Sequence, residues 1–243
     1  MNDGEIEAQV SRVGNKGLPL WKRTLDLTLI VATLPAWLLL GLLTALVIRI
    51  GSPGPIFFKQ ERVGYKGRRF TLFKFRTMHT NAAIDSHRAH TRNLIKSQGP
   101  MVKLDAQRDP RLVPFGSLLR AGGLDELPQL INVVRGDMSL VGPRPCIPYE
   151  YEMYEPNHRA RLNAAPGLTG LWQVSGKNRT TFEEMVRLDV EYSKRLNPIL
   201  DLNIMVRTLP ALWTQYADLR AARKPETNSR PEGLAKPLQS YHL

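Results

Sequence analysis

The sequence has little cysteine and no histidine pair at metal-binding spacing. Its single cysteine, Cys146, cannot form an intramolecular disulfide and excludes a cysteine-rich zinc site or a disulfide framework. A chain without disulfides fits a reducing compartment. The five histidines show no His-x-x-x-His spacing, which argues against a zinc-hydrolase centre. The chemistry must therefore come from other residue types.

Acidic residues are also scarce relative to basic ones. The 243 residues include 22 acidic and 34 basic side chains, a formal net charge of +12. Such an excess indicates an anionic partner, which can be a nucleic acid, a lipid head group or a phosphorylated substrate. With 42% hydrophobic and 23% charged residues, the chain is not mostly disordered, collagen-like or polytopic, and it can bury a core.

One long uncharged run predicts contact with a membrane. Residues 27–48 are 22 uncharged positions, and a helix needs about 20 to cross the hydrocarbon core. No small-residue cleavage site follows, so we do not read the run as a cleaved signal peptide. Lys22 and Arg23 precede it and Arg49 follows it, so the positive-inside rule favours the cytoplasm for both ends. A re-entrant helix broken at Pro35 satisfies both flanks, and a single-pass anchor is the alternative.

A basic hairpin is predicted after this run. Residues 59–76 carry seven basic side chains against Glu61 alone. Apolar residues flank a turn at residues 64–67, the pattern of two antiparallel strands. Beside a membrane, such a hairpin is expected to lie against anionic lipid head groups. The alternative is a solvated edge hairpin whose lysines block aggregation.

Two adjacent carboxylates open a predicted helix within residues 120–136. Two glycines, Asp125, Glu126 and Pro128 precede an apolar run that closes on an Arg-Gly pair, a helix start and stop pattern. Asp125 is expected at or near the N-cap, where the helix dipole attracts phosphate and keeps a carboxylate ionised. One carboxylate could then attack phosphorus while the other helps to hold Mg²⁺. The alternative is that both residues only cap the helix.

Two arginines near this pair suit phosphate binding. Arg144 stands between two prolines, which restrict its backbone, and Arg120 lies five residues before Asp125. A rigid guanidinium binds phosphate oxygens through paired hydrogen bonds. The alternative is that either arginine pairs with Asp137 or Glu150.

Two amphipathic helices are expected in the C-terminal part. Thr180 and Glu183 form a predicted capping box before a helix, and residues 199–213 form a second stretch that ends in Trp213, an aromatic typical of membrane interfaces. Either helix could instead belong to the core. The apolar side of the first helix is predicted to contain Phe182, Met185, Val186 and Val190.

Five sequence blocks, in one order and at one spacing, carry a resemblance to a known family. They are Lys22-Arg23-x-x-Asp26, Lys74-Phe75-Arg76-Thr77-Met78, Asp109-Pro110-Arg111, Leu124-Asp125-Glu126-Leu127-Pro128-Gln129 and Gly142-Pro143-Arg144-Pro145. Over residues 22–208 the chain resembles the bacterial sugar transferases that are monotopic polyprenyl-phosphate phosphoglycosyl transferases.

The resemblance implies transfer of a sugar 1-phosphate from a UDP-sugar to undecaprenyl phosphate, with release of UMP. It assigns the nucleophile to Asp125, which would carry a covalent phosphosugar, and Mg²⁺ binding to Glu126 together with Asp125. Substrate phosphates would be bound by Arg120, Arg144, Lys74 and Arg76. A Pro-Gly-x-Thr-Gly-x-Trp-Gln block, residues 166–173, resembles hexose 1-phosphate transferases of exopolysaccharide or O-antigen initiation, which favours glucose or galactose.

The sequence departs from the family at the break of the membrane helix. Family members often have a Ser-Pro pair there, whereas Leu34 precedes Pro35 in this chain. The Thr33 hydroxyl could take the place of the missing serine and satisfy a freed carbonyl.

The expected fold class is an α-rich α+β monotopic membrane protein with a re-entrant N-terminal helix, a basic β-hairpin, amphipathic interfacial helices and a cytoplasmic catalytic domain. The expected divisions are a flexible N-terminus (1–20), the re-entrant helix (21–52), the catalytic domain (53–220) and a disordered tail (221–243). Expected partners are undecaprenyl phosphate, a UDP-sugar and the anionic bilayer of the bacterial inner membrane at its cytoplasmic face, with a homodimer as an option. Nucleic acid is not expected, because no nucleic-acid-binding motif occurs. The rival functions are a non-catalytic membrane scaffold and a basic nucleic-acid- or lipid-binding protein.

Overall fold

The computed structural model describes residues 18–79, 92–95, 99, 111–176 and 179–222, and its fold is a helix-rich α+β arrangement. The α-helices are α1 (Leu20–Ala32), α2 (Leu34–Gly51), α3 (Gly116–Ala121), α4 (Gln129–Arg135), α5 (Pro148–Glu152), α6 (Pro156–Arg159), α7 (Leu171–Val174), α8 (Phe182–Arg195) and α9 (Pro198–Ala222). The strands are β1 (Phe57–Val63), β2 (Arg69–Phe75), β3 (Ser139–Val141) and β4 (Gly167–Thr169). Short 3₁₀ turns lie at Tyr65–Gly67, Leu124–Glu126 and Ala160–Asn163.

Two small sheets connect these helices. Strands β1 and β2 form the predicted antiparallel hairpin, and β3 pairs with β4 in parallel. A bridge between Val63 and Cys146 ties the hairpin to the segment after β3. At the end of β3 a Cβ atom on Gly142 would lie 2.2 Å from the Ala165 carbonyl oxygen, so the close approach of the two segments requires glycine.

A buried apolar cluster fills the space between the hairpin, α7 and α8. Its buried members are Val63, Cys146, Tyr154, Leu162, Trp172, Phe182, Met185 and Val186. The predicted apolar side of α8 is thereby confirmed as a core face. The capping box lies one residue later than predicted, because Thr181 and Glu184 exchange the two hydrogen bonds, at 3.2 and 3.0 Å.

The basic side chains of the hairpin divide into two groups. Arg62 and Arg76 are buried and Lys74 is half-buried, so contact with lipid head groups is a wrong expectation for these three. The exposed basic residues are Lys59, Lys66, Arg68 and Arg69. For this second group the head-group contact stays a prediction.

The break between α1 and α2 lies at Thr33, two residues before Pro35, which stands in the first turn of α2. Proline has no N–H to continue the helical hydrogen bonds. The Thr33 hydroxyl donates to the Leu29 carbonyl at 2.7 Å, and the Trp37 indole donates to the Ile30 carbonyl at 3.3 Å. The threonine therefore makes the type of hydrogen bond expected of the missing serine.

Both ends of the α1–α2 pair contact the same body of the protein. Near its start, Lys22 donates to Asp201 and, at 2.9 Å, to the Tyr192 hydroxyl. Near its end, Ile48 packs against Phe75 and Leu119. Between these anchors the pair presents apolar side chains outward, namely Val31, Leu34, Leu38, Leu39, Leu40, Leu42 and Leu43. Within the described ranges, α2 is the one helix whose length and composition would suit a membrane crossing.

Helix α9 has an exposed apolar stripe along one side. The stripe contains Ile199, Leu202, Val206, Leu209 and Trp213. A helix over residues 199–213 is confirmed and extends to Ala222, but it is apolar on its buried side as well, where Leu200, Ile204 and Met205 pack in the core. The interfacial role of its exposed stripe stays a prediction. Most of the predicted flexible N-terminus (1–20) and tail (221–243), and the residues Asp109 and Pro110, lie outside the described residues.

Candidate active site

Asp125 and Glu126 lie in the 3₁₀ turn that leads into α4. Gly123 precedes the turn with a φ of 68°, a conformation that glycine adopts without a steric penalty. The N-cap of α4 is Pro128, so Asp125 stands upstream of the cap and not at it. The predicted helix stop is confirmed, since Gly136 ends α4 with a φ of 75°. Asp125 is 6% exposed.

Five of the predicted site residues line one cavity of about 520 Å³. Asp125 and Glu126 come from the 3₁₀ turn, Lys74 from β2, Arg120 from α3 and Arg144 from the loop after β3. The structure thus brings together two carboxylates and three cations that are up to 70 positions apart in the sequence. Such an arrangement suits a ligand with several phosphate oxygens.

Lys74 is already engaged with Glu126. Its Nζ lies 2.8 Å from Glu126 Oε1, and both side chains are half-buried. The pair orients the Glu126 carboxylate and holds the Lys74 ammonium group at the cavity wall.

Arg76 does not line the cavity. Its guanidinium donates to the carbonyls of Ser52 and Pro53, both at 2.8 Å, at the C-terminal end of α2. A helix C-terminus carries partial negative charge, which stabilises a nearby cation. The prediction that Arg76 binds substrate phosphate does not fit this position, because its donors hold the end of the apolar helix.

The loop that carries Arg144 is held by its carbonyl groups. Its two prolines have no N–H, so main-chain donors are few. Four successive carbonyls accept hydrogen bonds: Pro143 from Gly167 N (2.9 Å), Arg144 from Arg161 (3.3 Å), Pro145 from Arg62 (3.2 Å) and Cys146 from Val63 N (2.8 Å). The backbone of Arg144 is therefore fixed on both sides. The alternative pairing of Arg144 with Glu150 is not observed among the described residues, and Glu150 accepts from Ile147 N at 3.0 Å.

Arg161 is a buried cation that sequence reasoning missed. Its Nε and Nη2 donate to Asp189 Oδ2 at 2.9 and 2.6 Å, and its Nη1 donates to the Tyr154 hydroxyl at 2.7 Å. Arg161 and Asp189 are each 1% exposed. No local motif marks this pair, because its members are 28 residues apart in separate helical segments.

The carboxylate pair fits Mg²⁺ when a substrate supplies further ligands. Within the described part of the chain, no group of three or more His, Cys, Asp or Glu side chains is placed to hold a metal. Mg²⁺ prefers oxygen ligands and is usually bound through one or two carboxylates together with substrate phosphates. Asp125 and Glu126 supply such a pair at the cavity wall.

The Asp125 turn lies beside the apolar helix α2. Leu124 and Leu127, on either side of the carboxylate pair, pack against the cluster that contains Ile48 of α2. The cavity is therefore next to the apolar helix α2.

Cys146 also lines the cavity, but it is not a competing nucleophile. Burial raises the pKa of its thiol to about 12, so the reactive thiolate is nearly absent at neutral pH. We expect a maleimide at pH 7 to 8 to modify the folded protein roughly 1,000-fold more slowly than the urea-unfolded chain, as the thiolate fractions require. Mass spectrometry of the labelled protein measures this ratio. Rapid labelling with loss of activity would contradict it.

The sequence matches a known family over most of its length. The family described as bacterial sugar transferase matches residues 18–215, which include all the predicted site residues. The exopolysaccharide production protein ExoY of Sinorhizobium fredii is 37% identical over 191 residues, which cover 79% of this chain and 84% of the relative. The UDP-glucose:undecaprenyl-phosphate glucose-1-phosphate transferase of Caulobacter vibrioides is 40% identical over 203 residues, with 80% and 70% covered. The galactosyl transferase CpsE of Streptococcus agalactiae is 42% identical over 157 residues, with 64% and 34% covered.

Proposed function

Because the chain belongs to the bacterial sugar transferase family, we propose that it transfers a hexose 1-phosphate from a UDP-sugar to undecaprenyl phosphate at the start of exopolysaccharide or O-antigen assembly. One observation carries the proposal: a buried aspartate, its neighbouring glutamate and three cations line a single cavity beside an apolar helix. The names of relatives that act on UDP-glucose and undecaprenyl phosphate, or that transfer galactose, support glucose or galactose as the sugar.

The proposed reaction has two displacement steps at one phosphorus atom. In the first, a carboxylate oxygen of Asp125 attacks the phosphorus next to the sugar, the bond from this phosphorus to the UMP oxygen breaks, and UMP leaves. In the second, an oxygen of undecaprenyl phosphate attacks the same phosphorus and the bond to Asp125 breaks. The carboxylate is thereby restored, and the sugar diphospholipid is the product.

The cations supply electrostatic stabilisation in both steps. Charge spreads over the phosphoryl oxygens in the transition state, and fixed guanidinium groups lower its energy. Arg144 suits this task because the carbonyls of its loop are held, so little backbone freedom is lost on binding. Arg120 would contribute a second guanidinium from helix α3, which also lines the cavity.

Mg²⁺ is proposed as the cofactor, held by Glu126 and Asp125. When bound, it neutralises diphosphate charge and favours departure of the nucleotide. The salt bridge from Lys74 orients Glu126 for this contact. The role of the chain is to present both carboxylates on one short turn.

The α1–α2 pair is proposed to be a re-entrant membrane element. Its two ends bind the same body of the protein, and its middle exposes leucine and valine side chains. In this proposal the cavity lies at the cytoplasmic face of the bacterial inner membrane, within reach of the phosphate of the lipid acceptor. A single spanning helix would instead separate its two ends by the bilayer thickness of about 30 Å.

Topology can be tested with cysteines introduced one at a time at the exposed positions Thr24, in the first turns of α1, and His79, beyond the end of α2. We expect a membrane-impermeant maleimide to label both in inverted vesicles and neither in intact spheroplasts. The buried Cys146 provides the unlabelled background. Labelling of the two positions from opposite sides would show a spanning helix and contradict the re-entrant arrangement.

The reaction is tested by incubating the protein with Mg²⁺, undecaprenyl phosphate and a panel of UDP-sugars, with UMP as the readout. We expect UDP-glucose or UDP-galactose to give the highest rate. Without the lipid, UMP should appear in a single burst equal to the amount of enzyme, because the phosphosugar stays on Asp125. Absence of UMP with every sugar would reject the proposed function.

A further inference from the structure

Arg62 of β1 is a buried cation at the cavity wall. It is 6% exposed, and it lines the main cavity. It also lines a smaller adjoining pocket together with Lys74, Glu126 and Arg144. Its position next to the proposed phosphate-binding residues was not predicted from the sequence.

Arg62 forms no ion pair with a carboxylate among the described residues. Its Nη1 donates to the Pro145 carbonyl at 3.2 Å and its Nη2 to the Gln60 side-chain oxygen at 2.7 Å, and both acceptors are neutral. Its Nε is buried and has no hydrogen-bond partner. Among the described residues, no Asp or Glu lies within ion-pair distance of its guanidinium.

Other buried cations of this protein are compensated. Lys22 pairs with Asp201, and Arg161 pairs with Asp189. Arg76 lies at the C-terminal end of α2, where the helix dipole is negative. Arg62 has neither kind of partner and has a second cation, Arg144, close enough to affect it.

An uncompensated buried charge is costly. Moving an ion out of water is strongly unfavourable unless a counter-charge is near. Burial, followed by the charge of Arg144, lowers the pKa of Arg62 to about 10, so the guanidinium is still protonated at neutral pH. Glu150 is near enough to raise this pKa but forms no ion pair with the guanidinium, so a closer anion is expected to come from a ligand in the cavity.

We propose that Arg62 is a phosphate-binding residue whose charge is balanced by a substrate phosphate. The free Nε–H is a donor, and phosphate oxygens accept hydrogen bonds from guanidinium groups. The inference rests on the proposed function, which supplies two possible sources of this phosphate. These are the diphosphate of the UDP-sugar and the phosphate of the lipid. At the same time Arg62 holds the Pro145 carbonyl, next to Arg144.

The test compares the wild type with Arg62→Gln, which removes the charge but keeps an N–H for the Pro145 carbonyl. We expect the unliganded variant to melt at the same temperature as the wild type or higher, because a buried unpaired charge is gone. Its affinity for UDP, measured by calorimetry, should fall about 10- to 100-fold, the range for a lost hydrogen bond to a charged group. Arg68→Gln, an exposed arginine of the same hairpin, is the matched control and should change neither quantity.

A measurement with the second substrate, undecaprenyl phosphate, identifies which substrate supplies the phosphate. Weaker UDP binding with an unchanged KM for undecaprenyl phosphate assigns Arg62 to the donor, and the reverse pattern assigns it to the lipid. A lower melting temperature with unchanged affinity for both ligands would overturn the proposal and leave Arg62 a structural residue. If the wild type itself binds neither ligand, the proposed function fails and this inference fails with it.

Arg62→Lys decides the matter if Arg62→Gln does not fold. Lysine keeps the charge but loses the planar fork. A phosphate-binding role predicts a melting temperature near that of the wild type and an affinity for UDP or for the lipid reduced roughly threefold to tenfold. A purely structural role predicts the opposite: a lower melting temperature and unchanged affinity for both.

Discussion

Replacement of Asp125 by asparagine is expected to lower turnover by roughly 10⁴-fold or more, as loss of a covalent nucleophile does in other enzymes. The amide has no charge and cannot form the acyl phosphate, while its size is nearly the same. Asp125 is buried in a short turn that Gly123 and Pro128 frame, so the fold should accept the change. The measurement is the rate of UMP release with circular dichroism as the check on folding.

Asp137→Asn is the matched control, since Asp137 follows α4 and does not line the cavity. Asp137 is half-buried and does not reach the cavity, so the variant should keep at least about a tenth of the wild-type rate even if it loses some stability. Intact-mass measurement after incubation with a UDP-sugar alone should find the added phosphosugar in the wild type and in Asp137→Asn, but not in Asp125→Asn. Substantial UMP release by purified, folded Asp125→Asn would reject the assignment of the nucleophile.

The carboxylate pair and its cations could be predicted because their signals are local. Asp125 and Glu126 follow two glycines, and Arg144 stands between two prolines, so the residues next to each side chain already restrict it. The break of the apolar helix is local too, and the structure places it two residues from Pro35. What a short segment determines by itself is therefore visible in its sequence.

The two buried arginines of the hairpin region show where local reasoning stops. Arg62 and Arg76 both belong to the basic segment of residues 59–76. The order of polar and apolar residues in this segment does not reveal which of the two arginines faces the cavity. The answer depends on the segments packed against them: the Pro145 carbonyl contacts Arg62, and the end of α2 contacts Arg76.

The prediction of the capping box is wrong by one residue for a related reason. Thr180 with Glu183 and Thr181 with Glu184 satisfy the same sequence pattern. The local sequence alone does not distinguish these two pairs, and the structure shows that Thr181 and Glu184 form the capping box.

The net charge of +12 has three different uses in the described part of the chain. Some cations stabilise the fold, as Lys22 and Arg161 do through buried carboxylates. Others line the cavity, where a substrate can supply negative charge. The exposed hairpin residues are the ones available to lipid head groups. A charge excess in the sequence therefore overstates the basic surface that the protein exposes.

Replacement of Arg161 by methionine is expected to reduce the free energy of unfolding by about 3–5 kcal/mol, because Asp189 would stay buried without its partner. Urea unfolding measures this difference. Arg187→Met, on the exposed side of α8, is the matched control and should change stability by at most about 0.5 kcal/mol. A loss below about 1 kcal/mol for Arg161→Met would contradict the importance of the pair.

The double variant Arg161→Met with Asp189→Leu separates the stability of the pair from its effect on the site. Removing both charges of a buried pair is often neutral or stabilising, so most of the lost stability should return. Arg161→Met should also lower the rate of UMP release, because the Arg144 carbonyl loses the Arg161 donor that lies 3.3 Å away. This activity should not return in the double variant, which still lacks the donor. If Arg161 acts on the reaction by positioning Arg144, its loss matters only while the Arg144 side chain is present. Adding the double change to Arg144→Ala should therefore lower activity little below that of Arg144→Ala alone, because the effects of coupled residues are not additive. A full additional loss in that background would show that Arg161 acts on the reaction by a route other than Arg144.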